Sequence, residues 1–221
     1  MLAEPQPLER LRANLERILG NGMVADPIAH ASQVADVAAV LHEAFASRGF
    51  LVTLVGGSAI EIHAPGIYRS GDLDVVLEAT QEATHLREEI FLGLGFRHAG
   101  RHWRHGSDLF VELVNGPVAG PTEDVRVGDA EFRIVTKEVV LRDRLVGFKH
   151  WKYTAYGEQA VDMLAAFGSE LDPTWLLPEL EREDALDALE ALQQLARSSK
   201  PITDQLLRGM IDELHDRERN R

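Results

Sequence analysis

The chain has 221 residues, 45% of them hydrophobic, and its 36 acidic side chains outnumber the 23 Lys and Arg residues, which gives a formal net charge of −13. This composition is typical of a globular protein, and the acidic excess disfavours a broad nucleic-acid platform, since neutralising phosphates requires clustered Lys and Arg. The absence of cysteine excludes disulfides, cysteine-ligated zinc or iron–sulfur sites, and a cysteine nucleophile.

Two amphipathic helices are predicted at the beginning of the chain, over residues 4–20 and 27–48. In both segments the apolar residues recur at steps of three and four residues, as they do on the buried face of a helix. Gly20-Asn21-Gly22 ends the first pattern, and Arg48-Gly49 ends the second. We interpret both apolar stripes as core-packing faces.

The middle of the chain changes to short apolar runs separated by glycine-containing turns, a pattern typical of strands. A buried strand is predicted from Phe50 to Val55, closed by Gly56-Gly57, and a short helix follows over 58–64. The remaining predicted elements are a strand over 73–77, a helix over 81–94, paired strands over 96–104 and 109–114 around a turn at 105–108, and a hairpin of 124–127 with 131–135.

From about residue 137 the pattern is helical to the end of the chain. An apolar face over 138–167 is followed by an acidic stretch over 170–190 and by two helices, 184–197 and 203–218. We therefore expect an α/β (α+β) fold in two parts. Residues 1–136 would form a small mixed-sheet core with N-terminal helices, and residues 137–221 would form a C-terminal helical cap.

A glycine-rich turn stands where the first predicted strand passes into a helix. Gly56, Gly57 and Ser58 would leave backbone N–H groups without partners at the start of that helix, pointing at one place. Glycine lets a phosphate approach the backbone closely, and a helix N-terminus favours negative charge. The turn is a candidate phosphate-binding element, although a turn of this kind also fits a purely structural role.

Three acidic residues lie on predicted strands. Asp72 and Asp74 are one residue apart, so their carboxylates face the same side of the strand. Burying two such carboxylates is costly unless a cation compensates, and Mg²⁺ takes carboxylate oxygens while keeping positions open for substrate phosphates. Glu112 offers a third carboxylate on the 109–114 strand. Its alternative explanation is a salt bridge to one of three basic residues: Arg101, Arg104 or Lys149.

The order of these features resembles that of the DNA polymerase β-like nucleotidyltransferase superfamily: a Gly-Gly-Ser turn, 13 further residues, Asp-x-Asp on a strand, and a later strand acid. The resemblance covers roughly residues 50–115 and is closest to minimal bacterial and archaeal nucleotidyltransferases, some of which belong to toxin–antitoxin pairs. It implies that Gly57 and Ser58 bind phosphate, that Asp72 and Asp74 bind metal, and that Glu112 is the third acid.

The activity implied by the resemblance is transfer of a nucleoside monophosphate from a nucleoside triphosphate, with ATP as the first candidate, to an acceptor hydroxyl, with release of pyrophosphate. The cofactor would be Mg²⁺, with Mn²⁺ as an alternative, held by Asp72, Asp74 and Glu112, which would also be the catalytic residues. The acceptor stays open among RNA, a protein and a small molecule. A protein partner also stays open.

We expect a cytoplasmic protein with no membrane association. The apolar runs are far shorter than the roughly 20 residues that span a bilayer, and the N-terminal sequence lacks the apolar core of a signal peptide.

Two basic residues of the C-terminal region are further candidates for nucleotide binding. Arg144 and Lys149 lie on the helical stretch 138–167, where they could contribute to a positive pocket for a triphosphate, with Gly56 on the phosphate-binding turn. The alternative is that these basic side chains are solvated, or that they pair with the acidic stretch 170–190.

Other functional classes fit the sequence less well. His98, His102 and His105 suggest a metal hydrolase, but on a strand and turn their side chains would diverge. Ser58 lacks the Gly-x-Ser-x-Gly turn of a serine hydrolase, and no P-loop pattern occurs. The main alternative is a nucleotidyltransferase-like fold that acts as a binding or regulatory partner within a toxin–antitoxin pair.

Overall fold

The computed structural model describes residues 8–20, 22–79, 85–198 and 200–219. The chain divides into two compact units at the junction of Thr136 and Lys137. The first unit contains helices and every strand of the described residues, and the second is helical. The mixed α/β fold class expected from the sequence is therefore confirmed. No helix among the described residues is both long enough and apolar enough to cross a membrane.

The first unit begins with two helices, α1 (Leu8–Leu19) and α2 (Pro27–Ala46). Three leucines on one face of α1 are buried, as the spacing predicts. The Asp26 side chain caps α2 by accepting the Ala29 N–H at 2.9 Å, and Pro27 occupies the first helical position. Residues 4–7 of the predicted first helix lie outside the described residues.

The other elements of the first unit follow in chain order. They are β1 (Phe50–Leu54), α3 (Gly56–His63), β2 (Leu73–Ala79), α4 (Leu86–Gly93), β3 (Arg97–Ala99), β4 (His102–His105), β5 (Leu109–Leu113), β6 (Thr122–Val127) and β7 (Ala130–Val135). Two predictions change. The helix expected over 58–64 begins at Gly56, and the strand expected over 96–104 is a hairpin of β3 and β4. Residues 81–84 of the predicted helix 81–94 lie outside the described residues.

Seven strands within the described residues form one mixed sheet in the order β3-β4-β5-β2-β1-β7-β6. Strand β2 lies antiparallel to β1 and parallel to β5, and β1 lies parallel to β7. The hairpins β3–β4, β4–β5 and β6–β7 complete the sheet. Strands β2 and β5 are central neighbours, and their staggered parallel pairing places Asp74, near the start of β2, opposite Glu112, near the end of β5.

An aromatic cluster forms part of the core of the first unit. The ring of Phe91 stacks on Trp103 with centroids 4.6 Å apart and meets Phe45 edge-on at 4.9 Å. All three side chains are at least 96% buried. Burying one such side chain contributes about 2–3 kcal/mol to stability. The cluster joins α2, α4 and β4, and so fixes one face of the sheet opposite to the face that carries the acidic residues.

The second unit consists of α5 (Lys137–His150), α6 (Thr154–Phe167), α7 (Pro173–Arg182), α8 (Leu186–Ala196) and α9 (Asp204–Arg219). The helical stretch expected over 138–167 is interrupted between α5 and α6, where Lys152 has a φ of 60°. A non-glycine residue in this left-handed region ends a helix because its Cβ crowds the backbone. The Thr203 hydroxyl caps α9 by accepting the Leu206 N–H at 3.2 Å.

Candidate metal and nucleotide site

The pairing of β2, β5 and β4 places three polar side chains in one row across the sheet. Asp74 on β2 lies opposite Glu112 on β5, and Glu112 lies opposite His102 on β4. Residues that are directly opposite each other on adjacent strands project from the same face. Asp72 stands two residues before Asp74, just ahead of β2, and its carboxylate joins the row from the end of the strand.

His102 lies between two of the carboxylates. Its Nε2 atom is 3.2 Å from Asp72 Oδ2 and 3.4 Å from Glu112 Oε2. One ligand atom from each of Asp72, His102 and Glu112 lies within 4.8 Å of the other two. The three side chains are 22–28% exposed, which leaves the cluster reachable from solvent. These three residues could hold a metal ion.

Arg101 reaches the same cluster from the turn between β3 and β4. Its Nη2 atom lies 3.3 Å from Glu112 Oε2, and its side chain is 73% exposed. The salt bridge to Arg101 was one of the alternatives for Glu112 in the sequence, and the structure contains it. An ion pair with one partner this exposed is weak, so the salt bridge to Arg101 leaves Glu112 available to bind a metal ion.

Asp72, Asp74 and Glu112 together are called the acidic row, and Asp74 connects this row to the glycine turn. Its Oδ2 atom accepts the Gly57 N–H at 3.1 Å, at the first turn of α3. Gly56 has a φ of 63°, and a Cβ atom placed there would overlap the Asp74 carboxylate. A carboxylate at a helix N-terminus is stabilised by the N–H groups that lack partners within the helix. The predicted phosphate-binding turn and the predicted metal-binding pair therefore meet at Asp74.

The Ser58 hydroxyl supports the backbone that carries the two aspartates. It donates to the Asp72 carbonyl oxygen at 2.8 Å and accepts the Asp74 N–H at 3.2 Å. Ser58 is fully buried. These bonds hold the two peptide groups on either side of Leu73, and they give Ser58 a positioning role. Its predicted role as a phosphate ligand stays a prediction that these contacts do not support.

A second set of buried polar contacts supports the loop before Asp72. Glu61 on α3 is fully buried, and its two oxygens bind different elements. Oε1 contacts His30 Nδ1 on α2, and Oε2 accepts the Ser70 N–H at 3.0 Å. Buried polar groups are stable only when such partners are present. Glu61 thus ties the loop that ends at Asp72 to both α2 and α3.

A cleft of about 480 Å³ lies beside the turn between β4 and β5. Its lining includes Glu16 of α1, His105 at the end of β4, and Asp108 of the turn. Burial is the main cause that lowers the pKa of His105 below its ordinary value. A smaller pocket shares Asp108 with the cleft and reaches Asp72. Glu16 and Asp108 give the cleft two carboxylates, and its lining residues are distinct from Asp72, Asp74 and Glu112.

The two basic candidates of the second unit bind residues of that unit. Lys149 is fully buried, and its Nζ atom lies 3.1 Å from Asp184 Oδ2 and 3.0 Å from Asp187 Oδ1. Arg144 donates to Gln159 Oε1 at 2.5 Å and lies over the Tyr156 ring. For Lys149 the sequence alternative, a pairing with the acidic stretch 170–190, holds. Nucleotide binding by Arg144 and Lys149 stays a prediction without support from these contacts.

His102 is the site residue missing from the predicted ligand set of Asp72, Asp74 and Glu112, since the sequence suggested it only together with His98 and His105 as a ligand of a metal hydrolase. The observed pairing follows from a three-residue turn of Gly106, Ser107 and Asp108, because counting outward from it places His105 opposite Leu109 and His102 opposite Glu112. The other two histidines of the group do not join it: the His98 ring packs on Trp103, and the His105 ring packs on Phe96. Residues three apart on a strand face opposite sides, which separates His105 from His102.

Comparison with known proteins gives no family assignment: no family model, no curated protein and no solved structure matches this chain significantly.

Proposed function

We propose that the chain is a nucleotidyltransferase that depends on a divalent cation. It would transfer a nucleoside monophosphate from a nucleoside triphosphate to an acceptor hydroxyl and release pyrophosphate. One observation carries the proposal: Asp72, Asp74 and Glu112 lie together where the start of β2 meets the end of β5, and Asp74 accepts the Gly57 N–H at the first turn of α3. Nucleotidyl transfer needs a cation site next to a phosphate-binding turn, and this arrangement supplies candidates for both.

The chemistry of the donors fits a divalent cation. Asp72 and Glu112 offer carboxylate oxygens within 4.8 Å of each other, and oxygen is the donor that Mg²⁺ prefers. On this proposal Asp72 and Glu112 hold the ion, with Asp74 beside them. When bound, Mg²⁺ would stabilise the negative charge that develops on the phosphate and pyrophosphate oxygens.

The side chains and backbone of the chain supply positioning and proton transfer. The triphosphate would accept from N–H groups of the first turn of α3, and at Gly57 it would have to displace the Asp74 carboxylate, which accepts that N–H at 3.1 Å. Ser58 holds Asp72 and Asp74 in register through their peptide groups. Glu112 would take the proton of the acceptor hydroxyl, since a carboxylate next to the reacting oxygen can act as a general base.

The proposal includes ATP as the first nucleotide to test and leaves the acceptor among an RNA, a protein and a small molecule. It places the activity in the cytoplasm, where nucleoside triphosphates are present and where a chain without cysteine needs no oxidising conditions. A binding or regulatory role within a toxin–antitoxin pair is the alternative. The two roles differ in whether the acidic row supports transfer.

The test is transfer of radioactive label from α-labelled nucleoside triphosphates in a cell extract with Mg²⁺. Asp74→Asn should lower transfer by about 100-fold or more, because it removes one charge from the acidic row and changes the group that binds the Gly57 N–H. Asp129→Asn, in the exposed turn between β6 and β7, is the matched control and should keep full activity.

Full activity of Asp74→Asn would refute the assignment. A companion variant tests whether Glu112 is the third acid: Glu112→Gln should lower turnover at least as much as Ser58→Ala.

Calorimetry with the four triphosphates, with and without Mg²⁺, distinguishes a nucleotidyltransferase from a protein with a binding or regulatory role. Metal-dependent nucleotide binding without any transfer to the components of the extract would favour the binding or regulatory role.

A further inference from the structure

Two of the three candidate ligand atoms are carboxylate oxygens of Asp72 and Glu112, and the third is an imidazole nitrogen of His102. His102 lies on β4, where its backbone is paired with Glu112 on β5, so the position of its ring is set by the sheet. The ring also packs edge-on against Phe110, with centroids 6.0 Å apart. These contacts direct Nε2 toward Asp72 and Glu112, at 3.2 and 3.4 Å from their nearest oxygens. The nitrogen and the two oxygens thus converge from three separate segments of the chain.

A nitrogen donor changes which ions a site prefers. Mg²⁺ is a hard ion that binds oxygen almost exclusively and keeps several waters. First-row transition ions bind imidazole more readily, and their affinity for mixed nitrogen and oxygen sites exceeds that of Mg²⁺. Three protein ligands also leave coordination positions open, which is typical of catalytic rather than structural metal sites.

We propose that His102 makes the cluster of Asp72, His102 and Glu112 selective for a first-row transition ion over Mg²⁺. The inference rests on the proposed function in one respect, namely that this cluster is the metal site of the transfer reaction. The two carboxylates balance the charge of a divalent ion, and the imidazole of His102 would add one nitrogen donor. His102 is thereby the specificity-determining residue of the site, and Mn²⁺ is the probe chosen here, since it accepts both carboxylate and imidazole.

Comparing variants of Arg101 and His102 separates the effect of a nearby charge on metal binding from the effect of the donor atom. The Arg101 guanidinium lies 3.3 Å from Glu112 Oε2 and must leave that oxygen when an ion binds. Because its side chain is 73% exposed, it can move into solvent. Arg101→Gln removes a competing positive charge, so it should strengthen Mn²⁺ and Mg²⁺ binding by a similar factor. His102→Gln replaces a nitrogen donor by an amide oxygen, so it should change the ratio of the two affinities.

The experiment measures binding of the metal alone to the full chain, at one fixed pH, by calorimetry and by pulsed electron paramagnetic resonance. The unmodified protein should bind Mn²⁺ at least about tenfold more tightly than Mg²⁺. Its Mn²⁺ spectrum should show coupling to one ¹⁴N nucleus. His102→Gln should lose the coupling and reduce the Mn²⁺/Mg²⁺ affinity ratio severalfold. His98→Gln, on the neighbouring strand and 60% exposed, should keep both.

Each result has a distinct meaning. Mn²⁺ binding by the unmodified protein without ¹⁴N coupling would overturn the inference. This test does not depend on whether a variant folds. Such a result would leave the proposed function intact if Mg²⁺-dependent transfer is found. An equal affinity ratio in His102→Gln and in the unmodified protein would also overturn the inference. Coupling to ¹⁴N together with a complete absence of nucleotide transfer would uphold the metal selectivity and overturn the proposed function.

Discussion

Both the backbone conformation at position 56 and the packing of the Asp74 side chain against it require a glycine. The φ of 63° at Gly56 belongs to the left-handed region, where glycine carries no steric penalty. A Cβ atom at this position would also lie 2.9 Å from Asp74 Cγ. The close approach lets the Asp74 carboxylate accept the Gly57 N–H, so the glycine is needed for the geometry of the candidate site as well as for the turn.

Gly56→Ala should therefore destabilise the protein by more than its backbone angle alone explains. Gly106 has the same φ of 63° but open space where its Cβ would lie, so Gly106→Ala measures the backbone strain by itself. We expect about 1–2 kcal/mol for Gly106→Ala and a further 1–3 kcal/mol for Gly56→Ala, from displacement of Asp74. Urea unfolding of both variants measures the difference. Equal losses of stability would show that Asp74 moves aside without cost.

At the same scale, the site residues differ in how far the sequence could reveal them. The period of two along a strand predicts that Asp72 and Asp74 share a face, because it depends only on local geometry. The partners of Ser58 are backbone groups 14 and 16 residues later, and those of Lys149 are side chains at least 35 residues later. Such bonds depend on tertiary packing, which no local pattern encodes.

Among the elements, α3 carries the support of the candidate site. Ser58 at its beginning holds the backbone of β2, and Glu61 in its middle holds the loop before Asp72. The sequence predicted this helix two residues late, since the glycines were interpreted as a turn that precedes it. Gly56 and Gly57 instead form its first residues, because the Asp74 carboxylate accepts from the first turn across the sheet. The start of a helix is often decided by such a distant cap.

The hairpin of β3 and β4 shows a similar limit. The segment 96–104 was predicted as one strand, but Gly100 has a φ of 67° and turns the chain. This turn separates β3 from β4 and contains Arg101, which reaches Glu112, whereas the pairing of β4 with β5 places His102 opposite Glu112. The glycine is visible in the sequence, yet a single glycine within a strand pattern fits a bulge as well as a reversal. The sequence did offer Arg101 as one of three possible partners of Glu112, and the neighbour of that carboxylate that it did not identify is His102.

Glu61→Ala should lower the free energy of unfolding by about 3 kcal/mol. The change leaves His30 Nδ1 and the Ser70 N–H without an acceptor in a buried environment, and each unsatisfied group costs about 1–3 kcal/mol. The matched control is Glu131→Ala, which removes an ion pair with Arg126 whose side chains are 63–71% exposed. It should cost less than about 1 kcal/mol.

Urea unfolding provides the measurement for both glutamate variants. Titration with Mn²⁺ adds a functional readout, since a looser loop before Asp72 should weaken metal binding by Glu61→Ala and leave that of Glu131→Ala unchanged. A loss of stability for Glu61→Ala no larger than that for Glu131→Ala would mean that water replaces the carboxylate at His30 and Ser70.

At the scale of the whole molecule, the net charge of −13 affects both the stability of the fold and the binding of cations. Mutual repulsion of the acidic side chains opposes the compact state, and salt screens that repulsion over a distance of about 10 Å at 0.1 M. The acidic row of Asp72, Asp74 and Glu112 lies within this field, which favours the approach of cations to the candidate site. Screening of the charge and binding of a cation at the proposed site would both stabilise the fold, so the two effects must be measured separately.

Comparing NaCl with MnCl₂ at equal ionic strength separates the two effects. Both salts should raise the midpoint of thermal unfolding by screening, but Mn²⁺ should add a further increase through binding to the folded state. At a free concentration 100 times the dissociation constant, binding contributes about 2.7 kcal/mol, or roughly 5–10 °C for a chain of this size.

The matched variant is Asp72→Asn combined with Glu112→Gln, which keeps the shape of two ligands and removes their charge. It should respond to NaCl as the unmodified protein does and should lose the additional increase with MnCl₂, because only the latter depends on the cluster. If the unmodified protein and the double variant gain equally from MnCl₂, the ion acts on the acidic surface as a whole. A metal site formed by Asp72, His102 and Glu112 would then be excluded.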